Sequence, residues 1–348
     1  MYKKRVLFCI PPSVGGAERV SLTVVKMLDQ SEFDVHVAIV GSELGDIINF
    51  IPPNIKVHFV KIRNIWDFTT IKLIRLFRIL RPHIVFSSLF YLNIRVIYAA
   101  KIVGGIKTIV RNNISFFRAK PLNDFLIRHS YPMADIVICQ SIEMREEMLT
   151  IQHLDETKVT IIKNPIDTKT IDNKLNGYNS PYNNDEINYV YVGRIDETKG
   201  TDILISAFKQ LVHNLPNAHL TIVGKLTRGN VYQEKMIDET KDLGDRVTWT
   251  GFCDNPYPYI KYASCFVLPS RVEGLPNVVL EAMYLQTPVV ATRSVPIISR
   301  LIPKSRGITV QSANVLELVN AMQNILSLSI TQPYNQMNLE NEWKAIFY

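Results

Sequence analysis

Residues 270–283 read Ser270-Arg271-Val272-Glu273-Gly274-Leu275-Pro276-Asn277-Val278-Val279-Leu280-Glu281-Ala282-Met283. They follow the apolar run Cys265–Pro269, so a buried strand passes into a helix through a loop broken by Gly274 and Pro276. Asn277 is a residue type that caps helix starts, which predicts a helix over Val278–Leu285. Glu273 then lies on the approach loop and Glu281 about one turn into the helix. The N–H groups of that helix start, with the helix dipole behind them, make an anion site between the two carboxylates. One acid can accept from hydroxyls on one side of a bound diphosphate and the other acid from hydroxyls on the other side, the layout of a nucleotide-sugar. A solvated helix charge beside an ordinary loop acid has the same spacing.

A second anion site lies upstream in Val190-Tyr191-Val192-Gly193-Arg194-Ile195-Asp196-Glu197-Thr198-Lys199-Gly200, after an apolar strand and before an amphipathic helix near Asp202–Leu211. Gly193 would let the backbone turn at the strand's carboxyl end. Arg194 and Lys199 straddle the loop, one offering a planar fork and the other a point charge to phosphate oxygens. Either could also be a plain surface cation, the common fate of these residues.

Apolar, β-branched runs recur outward from these two stretches. They are Val6–Ile10, Val35–Val40, Ile84–Ser87, Thr108–Val110, Ile136–Cys139 and Val159–Ile162, then Tyr189–Val192, Leu220–Val223, Val247–Thr250, Cys265–Pro269, Val289–Thr292 and Ile308–Val310. Continuous apolar strands with helices between them imply parallel sheets covered on both faces and right-handed crossovers. The fold class is therefore α/β, with two doubly wound domains, and the polar stretch Asp172–Glu186 separates them. The expected bounds are 1–172 and 187–330, with a C-terminal tail at 331–348 suited to a helix returning to the first domain.

Together the two quoted stretches resemble the retaining glycosyltransferases of family 4, of the bacterial surface-polysaccharide type. The likeness extends to Gly15-Gly16-Ala17-Glu18-Arg19, similar to the family's glycine-rich first loop, and to Lys163-Asn164-Pro165-Ile166-Asp167, similar to its interdomain Asn-Pro-x-Asp. Thr221–Gly224 and Val247–Gly251 resemble its strands beside the nucleotide base. The resemblance implies the GT-B architecture, two Rossmann-like domains facing each other across a cleft. It implies catalytic roles for Arg194, Lys199 and Glu273. Donor binding would fall to Gly15, Gly16, Arg194, Lys199, Gly274, Leu275, Pro276, Asn277 and Glu281, with Glu281 holding ribose hydroxyls. Many members carry a His on a first-domain loop beside the reacting sugar. The matching stretch here is Val110-Arg111-Asn112-Asn113-Ile114-Ser115, so Arg111 or Asn112 becomes the candidate on the acceptor or sugar side. Gln286-Thr287-Pro288 and Ser294–Ser299 also depart from the family's pattern, and they bear on sugar specificity more than on the diphosphate.

Composition narrows the setting. Cys9, Cys139, Cys253 and Cys265 are far apart and three lie in strand runs, which suits reduced core thiols and a cytoplasmic protein. No signal peptide, 18-residue apolar span, GxxxxGK, GxGxxG, HExxH, GxSxG or Asp-x-Asp is present. No metal and no cofactor are therefore expected; the nucleotide-sugar is a substrate. His36, His58, His83 and His219 fall in or beside strands and are read as structural.

The net charge of +7 is unevenly spread: residues 1–180 hold 24 Lys and Arg against 16 Asp and Glu, and residues 181–348 hold 15 against 16. Between Lys61 and Arg128, 13 basic residues meet only Asp67 and Asp124. The predicted helix Ile71–Arg81 carries a basic stripe, and Phe116, Phe117 and Phe125 stand among Arg118, Lys120 and Arg128. Such a surface suits anionic lipid headgroups or a lipid diphosphate, and places the protein at the inner face of the cytoplasmic membrane. A helix with these two faces also packs on its own sheet in many proteins. Nucleic acid is not the expected partner, because no reading module is present.

The expected activity is transfer of a hexose-type sugar from a nucleoside diphosphate, UDP above all, to a glycan, lipid-linked acceptor in bacterial polysaccharide assembly. The alternatives are a nucleotide-sugar epimerase of the same fold and a membrane-associated nucleotide-binding scaffold without turnover.

Overall fold

A computed structural model describes residues 3–62, 69–113, 121–330, 334 and 337–348. The chain divides into two compact units, Met1–Pro165 with Gln336–Tyr348, and Ile166–Asn335.

The first unit runs β1 (Lys4–Ile10), α1 (Gly16–Met27), β2 (Phe33–Gly41), β3 (Lys56–Lys61), α2 (Thr69–Leu80), β4 (Ile84–Ser87), α3 (Phe90–Val103), β5 (Lys107–Arg111), α4 (Pro121–Ser130), β6 (Ile136–Cys139), α5 (Ile142–Thr150) and β7 (Val159–Ile161). Its strands form one sheet in the order β3-β2-β1-β4-β5-β6-β7, all pairs parallel. Val6, Leu7, Phe8 and Cys9 are fully buried because both faces of β1 are covered. The edge strand β3 was not visible in the sequence: only its Val60 is buried, so it lacks the apolar run that marks an inner strand.

The second unit runs α6 (Thr168–Leu175), β8 (Ile187–Val192), α7 (Thr201–Asn214), β9 (Ala218–Val223), α8 (Val231–Asp238), β10 (Val247–Gly251), α9 (Tyr257–Lys261), β11 (Cys265–Leu268), α10 (Asn277–Tyr284), β12 (Val289–Thr292), α11 (Ile297–Leu301), β13 (Gly307–Val310) and α12 (Val315–Asn324). Its sheet order is β10-β9-β8-β11-β12-β13, again all parallel. The stripe Ile203, Leu204, Ala207, Phe208, Leu211 and Val212 of α7 recurs at helical spacing and packs one sheet face; α10 buries Val279, Leu280, Ala282 and Met283 on the other.

Both sheets wind outward on one side of their first strand and then jump to the other side. Each is doubly wound, and each has a switch point, between β1 and β4 and between β8 and β11, the place in such sheets where the loops at the strands' carboxyl ends bind ligands.

The division at Pro165 and Ile166 corrects the boundary read at 172 and 187. Ile166 and Ile171 are buried in the second unit's core, Tyr284 donates to both Asp172 oxygens at 2.9 and 2.8 Å, and Tyr182 donates to the Tyr259 carbonyl at 2.8 Å. The polar stretch is thus tied down by hydroxyl groups, which hydropathy does not register. After Asn335 the chain returns to the first unit as α13 (Met337–Ala345). Trp343 and Phe347 are fully buried beside Phe8 and Phe86, and the Trp343 indole N–H donates to the Lys163 carbonyl at 2.9 Å.

Candidate functional site

In the second unit the switch point joins the loop after β8 to the loop after β11. A single 3-10 turn at Glu197–Lys199 is capped by Asp196, whose carboxylate accepts from the Lys199 N–H at 3.1 Å. Gly200 follows in the left-handed conformation, φ 70°, and a Cβ there would lie 2.1 Å from the Pro269 carbonyl oxygen. Only glycine fits both demands, so the two loops touch at this point. Gly193 does not supply the turn expected of it; its φ is ordinary, and its lack of a side chain makes room for the Tyr191 hydroxyl, 2.8 Å from where a Cβ would sit.

The contact between the loops carries charge. Lys199 Nζ lies 2.6 Å from Glu273 Oε1, and the Ser270 hydroxyl donates to the same oxygen at 2.7 Å. The Glu273 side chain is 8% exposed and that of Lys199 21%, so the pair is held in a partly dry setting where its Coulomb attraction is stronger than at the surface but is offset by the cost of desolvating both charges. Arg194 is different: its side chain is 75% exposed and reaches Asp196 at 3.3 Å. Thus the structure joins two of the three expected catalytic residues and leaves the third extended.

Helix α10 starts one residue earlier than its sequence suggests. Pro276 is the N-cap, extended at φ −73° and ψ 106°, with no side-chain cap bond, and Asn277 is the first helical residue. Proline's fixed φ sets the chain for helix entry, and it outweighs the capping preference of the asparagine. Leu275 and Pro276 are buried beneath the loop, Gly274 and Asn277 are half-buried, and Glu281 stands half-buried in the helix's second turn.

No motif or spacing in the chain pointed to the network behind this pair. Arg271 Nη1 and Nη2 donate to Asp202 Oδ1 and Oδ2 at 2.7 and 2.6 Å, and Nη1 also donates to the Glu197 carbonyl at 2.8 Å. The Tyr232 hydroxyl donates to Asp202 Oδ1 at 3.0 Å. Burial pushes the Asp202 carboxyl up, but the bonds from Arg271 and Tyr232 more than offset this and hold it below the usual range. Arg271 was in the quoted stretch, yet its partner lies 69 positions away and no spacing rule connects them.

At the first unit's switch point Gly15 is the extended N-cap of α1 and Gly16 its first residue. A Cβ on Gly15 would lie 2.6 Å from Glu18 Oε2; the buried Glu18 accepts from Ser13 Oγ at 2.9 Å. Arg111 and Asn112 are both buried. Arg111 donates to Ser88 Oγ at 3.0 Å and to Asn164 Oδ1, and burial pushes its guanidinium down to about 9 against the pull of Glu18. Gln140 Nε2 donates to the Asn112 carbonyl at 3.2 Å. Among the described residues Arg111 Nε and Asn112 Nδ2 have no hydrogen-bond partner.

Of the expected membrane-facing cations, Arg118 and Lys120 lie outside the described residues. Arg128 is exposed on α4 and pairs with Asp124 at 3.2 Å. Helix α2 buries Leu73, Phe77 and Leu80 and exposes Ile71, Arg75, Arg78 and Ile79, the last at 83%. No described helix is long and apolar enough to cross a membrane. Among the described residues no cluster of His, Cys, Asp and Glu is arranged to hold a metal ion.

Comparison with known proteins finds two sequence families in the chain, Glycosyltransferase Family 4 over residues 14–170 and Glycosyl transferases group 1 over residues 178–342. An uncharacterized glycosyltransferase of Methanocaldococcus jannaschii is 30% identical over 248 residues, spanning 66% of this chain and 61% of that relative. The N-acetylgalactosamine-N,N'-diacetylbacillosaminyl-diphospho-undecaprenol 4-alpha-N-acetylgalactosaminyltransferase of Campylobacter jejuni is 26% identical over 313 residues, 83% of this chain and 80% of its own. Among solved structures, Anabaena HepE in complex with UDP-glucose superposes with a TM-score of 0.78 at 16% identity, covering 99% of each chain.

Proposed function

Because the chain belongs to the glycosyltransferases of family 4, we propose that it transfers a sugar from a UDP-sugar to a hydroxyl of a glycan acceptor, with retention at the anomeric carbon. The observation that carries this reading is the 2.6 Å contact of Lys199 with Glu273 at the second unit's switch point, beside the start of α10. A cation for phosphate, a carboxylate for sugar hydroxyls and a helix N-terminus meet there within two loops.

Lys199, Arg194 and the α10 N-terminus hold the diphosphate, and Glu281 accepts from ribose hydroxyls. Glu273 orients the sugar and offsets part of the positive charge that develops at the anomeric carbon. As the glycosidic bond breaks, the leaving diphosphate gains charge, and the same cations stabilise it while it takes the acceptor's proton on the same face. Since these groups already offset the diphosphate charge, transfer needs no divalent ion. In the first unit the Gly15-Gly16 loop, without side chains, lets backbone approach a phosphate or acceptor, and the Asn112 amide, which has no hydrogen-bond partner among the described residues, is a donor suited to a sugar or acceptor oxygen.

The acceptor we propose is lipid-linked, in bacterial polysaccharide assembly. The Campylobacter relative is named for a diphospho-undecaprenol acceptor, and the exposed Arg75, Arg78 and Ile79 of α2 suit an anionic membrane surface.

The test is a panel of nucleotide-sugars read by thermal shift, since a ligand at about 100 times its Kd adds roughly 2.7 kcal/mol. UDP-sugars should stabilise the protein, and Glu281→Ala should weaken UDP at least about tenfold, or 1.4 kcal/mol, in a folded protein. Transfer should persist in excess chelator. Unchanged UDP affinity would remove Glu281 from the ribose, and chelator loss restored by magnesium would overturn metal independence. A new free sugar formed from a UDP-sugar without acceptor would favour an epimerase.

A further inference from the structure

Residue 271 holds the Lys199 turn from both sides. Its own N–H donates to the Thr198 carbonyl at 2.9 Å, and the Val272 N–H reaches the same oxygen at 3.2 Å. Its guanidinium bonds the Glu197 carbonyl two residues before Lys199 and forks onto Asp202 three residues after it. Asp202 is fixed in turn by Tyr232, whose hydroxyl donates to Oδ1 at 3.0 Å and accepts from the Asp202 N–H at 3.2 Å. Arg271 itself lies two residues before Glu273. Segment 197–202 and segment 270–273 are therefore joined by a planar, five-donor group that no other side-chain type can imitate.

We infer that Arg271 is a positioning residue of the diphosphate site: through Asp202 and the Glu197 carbonyl it sets Lys199 against Glu273, without touching the substrate itself. Two effects follow from its loss. The turn keeps its main-chain bonds to residues 271 and 272 but loses three side-chain bonds, so Lys199 gains freedom that diphosphate binding must then remove. In addition the Asp202 carboxylate, no longer matched, adds a negative charge beside a site built for anions. Lysine can restore the charge but not the fork.

This inference rests on the nucleotide reading for its ligand but not for its geometry, so the experiment has two arms. The first is free of ligand: a double-mutant cycle of Lys199→Met and Glu273→Gln, measured by denaturant unfolding, in the parent and in Arg271→Ala, Arg271→Lys and Asp202→Asn. The coupling between Lys199 and Glu273, expressed as a ratio of unfolding constants, should fall at least threefold in Arg271→Ala and less in Arg271→Lys. Should Arg271→Ala fail to fold, Arg271→Lys and Asp202→Asn carry the same comparison, since each breaks the fork and keeps a hydrogen-bonding side chain. Coupling unchanged in folded variants overturns the inference.

The second arm compares UDP with uridine by calorimetry. Arg271→Ala should weaken UDP about tenfold and leave uridine within twofold, with Asp202→Asn intermediate, because it removes the fork without leaving a bare carboxylate. Equal loss for both ligands marks a merely structural role and overturns the inference. A parent protein that binds no UDP sinks the nucleotide reading instead, and the first arm still decides the role of Arg271.

Discussion

At the scale of single residues the two cations of the site are unlike. A lysine ammonium has three donors, so Lys199 can keep its 2.6 Å contact with Glu273 and still donate to a phosphate oxygen. Arg194, three-quarters exposed, must be ordered by whatever it binds, which costs about 0.5–1.5 kcal/mol for such a side chain. In the proposed mechanism diphosphate charge grows as the glycosidic bond breaks, so both should bind the transition state more tightly than the donor. Lys199→Ala should lower kcat by about a hundredfold to a thousandfold, the range for losing one preorganised donor, and weaken UDP by clearly less. Arg194→Lys should recover only part of the parent rate, because a point charge lacks the fork. Separate measurement of kcat and donor Kd decides the matter; a higher KM at unchanged kcat would mean that the cations serve binding alone.

At the scale of elements, the edge of the first sheet holds a pair of histidines. His36 on β2 and His58 on β3 stack at 5.1 Å with His36 Nδ1 2.7 Å from His58 Nε2, and Asp34 Oδ1 lies 3.1 Å from His36 Nε2. One proton fits between rings that close, and Arg5 and Lys56 add positive charge around Asp34. Burial first, with nearby positive charge, holds both imidazoles below their ordinary value near 6.5; Asp34 pulls His36 the other way but does not restore it. A depressed histidine favours the folded state above the unfolded value and loses that contribution as pH falls through the folded one. The first unit should therefore melt at lower temperature as pH drops from 7 toward 5, and His58→Gln should flatten that slope. Calorimetry across this range checks it; a slope as steep in the variant as in the parent would show that other groups carry the pH dependence.

At the scale of the whole molecule, the last helix closes the first core. Trp343 and Phe347 on and just after α13 fill space beside Phe8 and Phe86, and Lys4 and Lys107 donate to the carbonyls of Tyr348 and Ile346, each at 2.8 Å. Trp343→Ala should cost about 3–5 kcal/mol in a core that cannot collapse around the loss. Denaturant unfolding measures this, and a cost under about 1 kcal/mol would mean that α13 is only draped on the surface. Charge is the other feature at this scale, with the first 180 residues at +8 and the rest at −1. Replacing Arg75, Arg78 and Arg128 by Gln should weaken binding to anionic vesicles by about 3 kcal/mol at most, taking roughly 1 kcal/mol per cation. Arg128 should contribute least, since Asp124 already pairs with it. Attachment should also fade as the Debye length shrinks from about 10 Å at 0.1 M salt to about 3 Å at 1 M. Flotation equal in variant and parent would sink the membrane reading.

The sequence by itself determined the doubly wound sheets and the two loops of the site. Strands buried on both faces must be apolar throughout, and turns at strand ends need glycine and proline, so Val6–Ile10, Tyr189–Val192 and Gly274–Pro276 could be read directly. Where burial is one-sided or polar the signal fails. Strand β3 alternates at a sheet edge, the 172–186 stretch is tied down by tyrosine hydroxyls, and Arg111 is buried by bonds to Ser88 and Asn164 that no hydropathy pattern encodes. Only the tertiary structure decided which charges meet. Lys199 with Glu273 is a contact across 74 positions and Asp202 with Arg271 one across 69, and such pairs exist because parallel strands bring the loops after β8 and β11 side by side at the switch point.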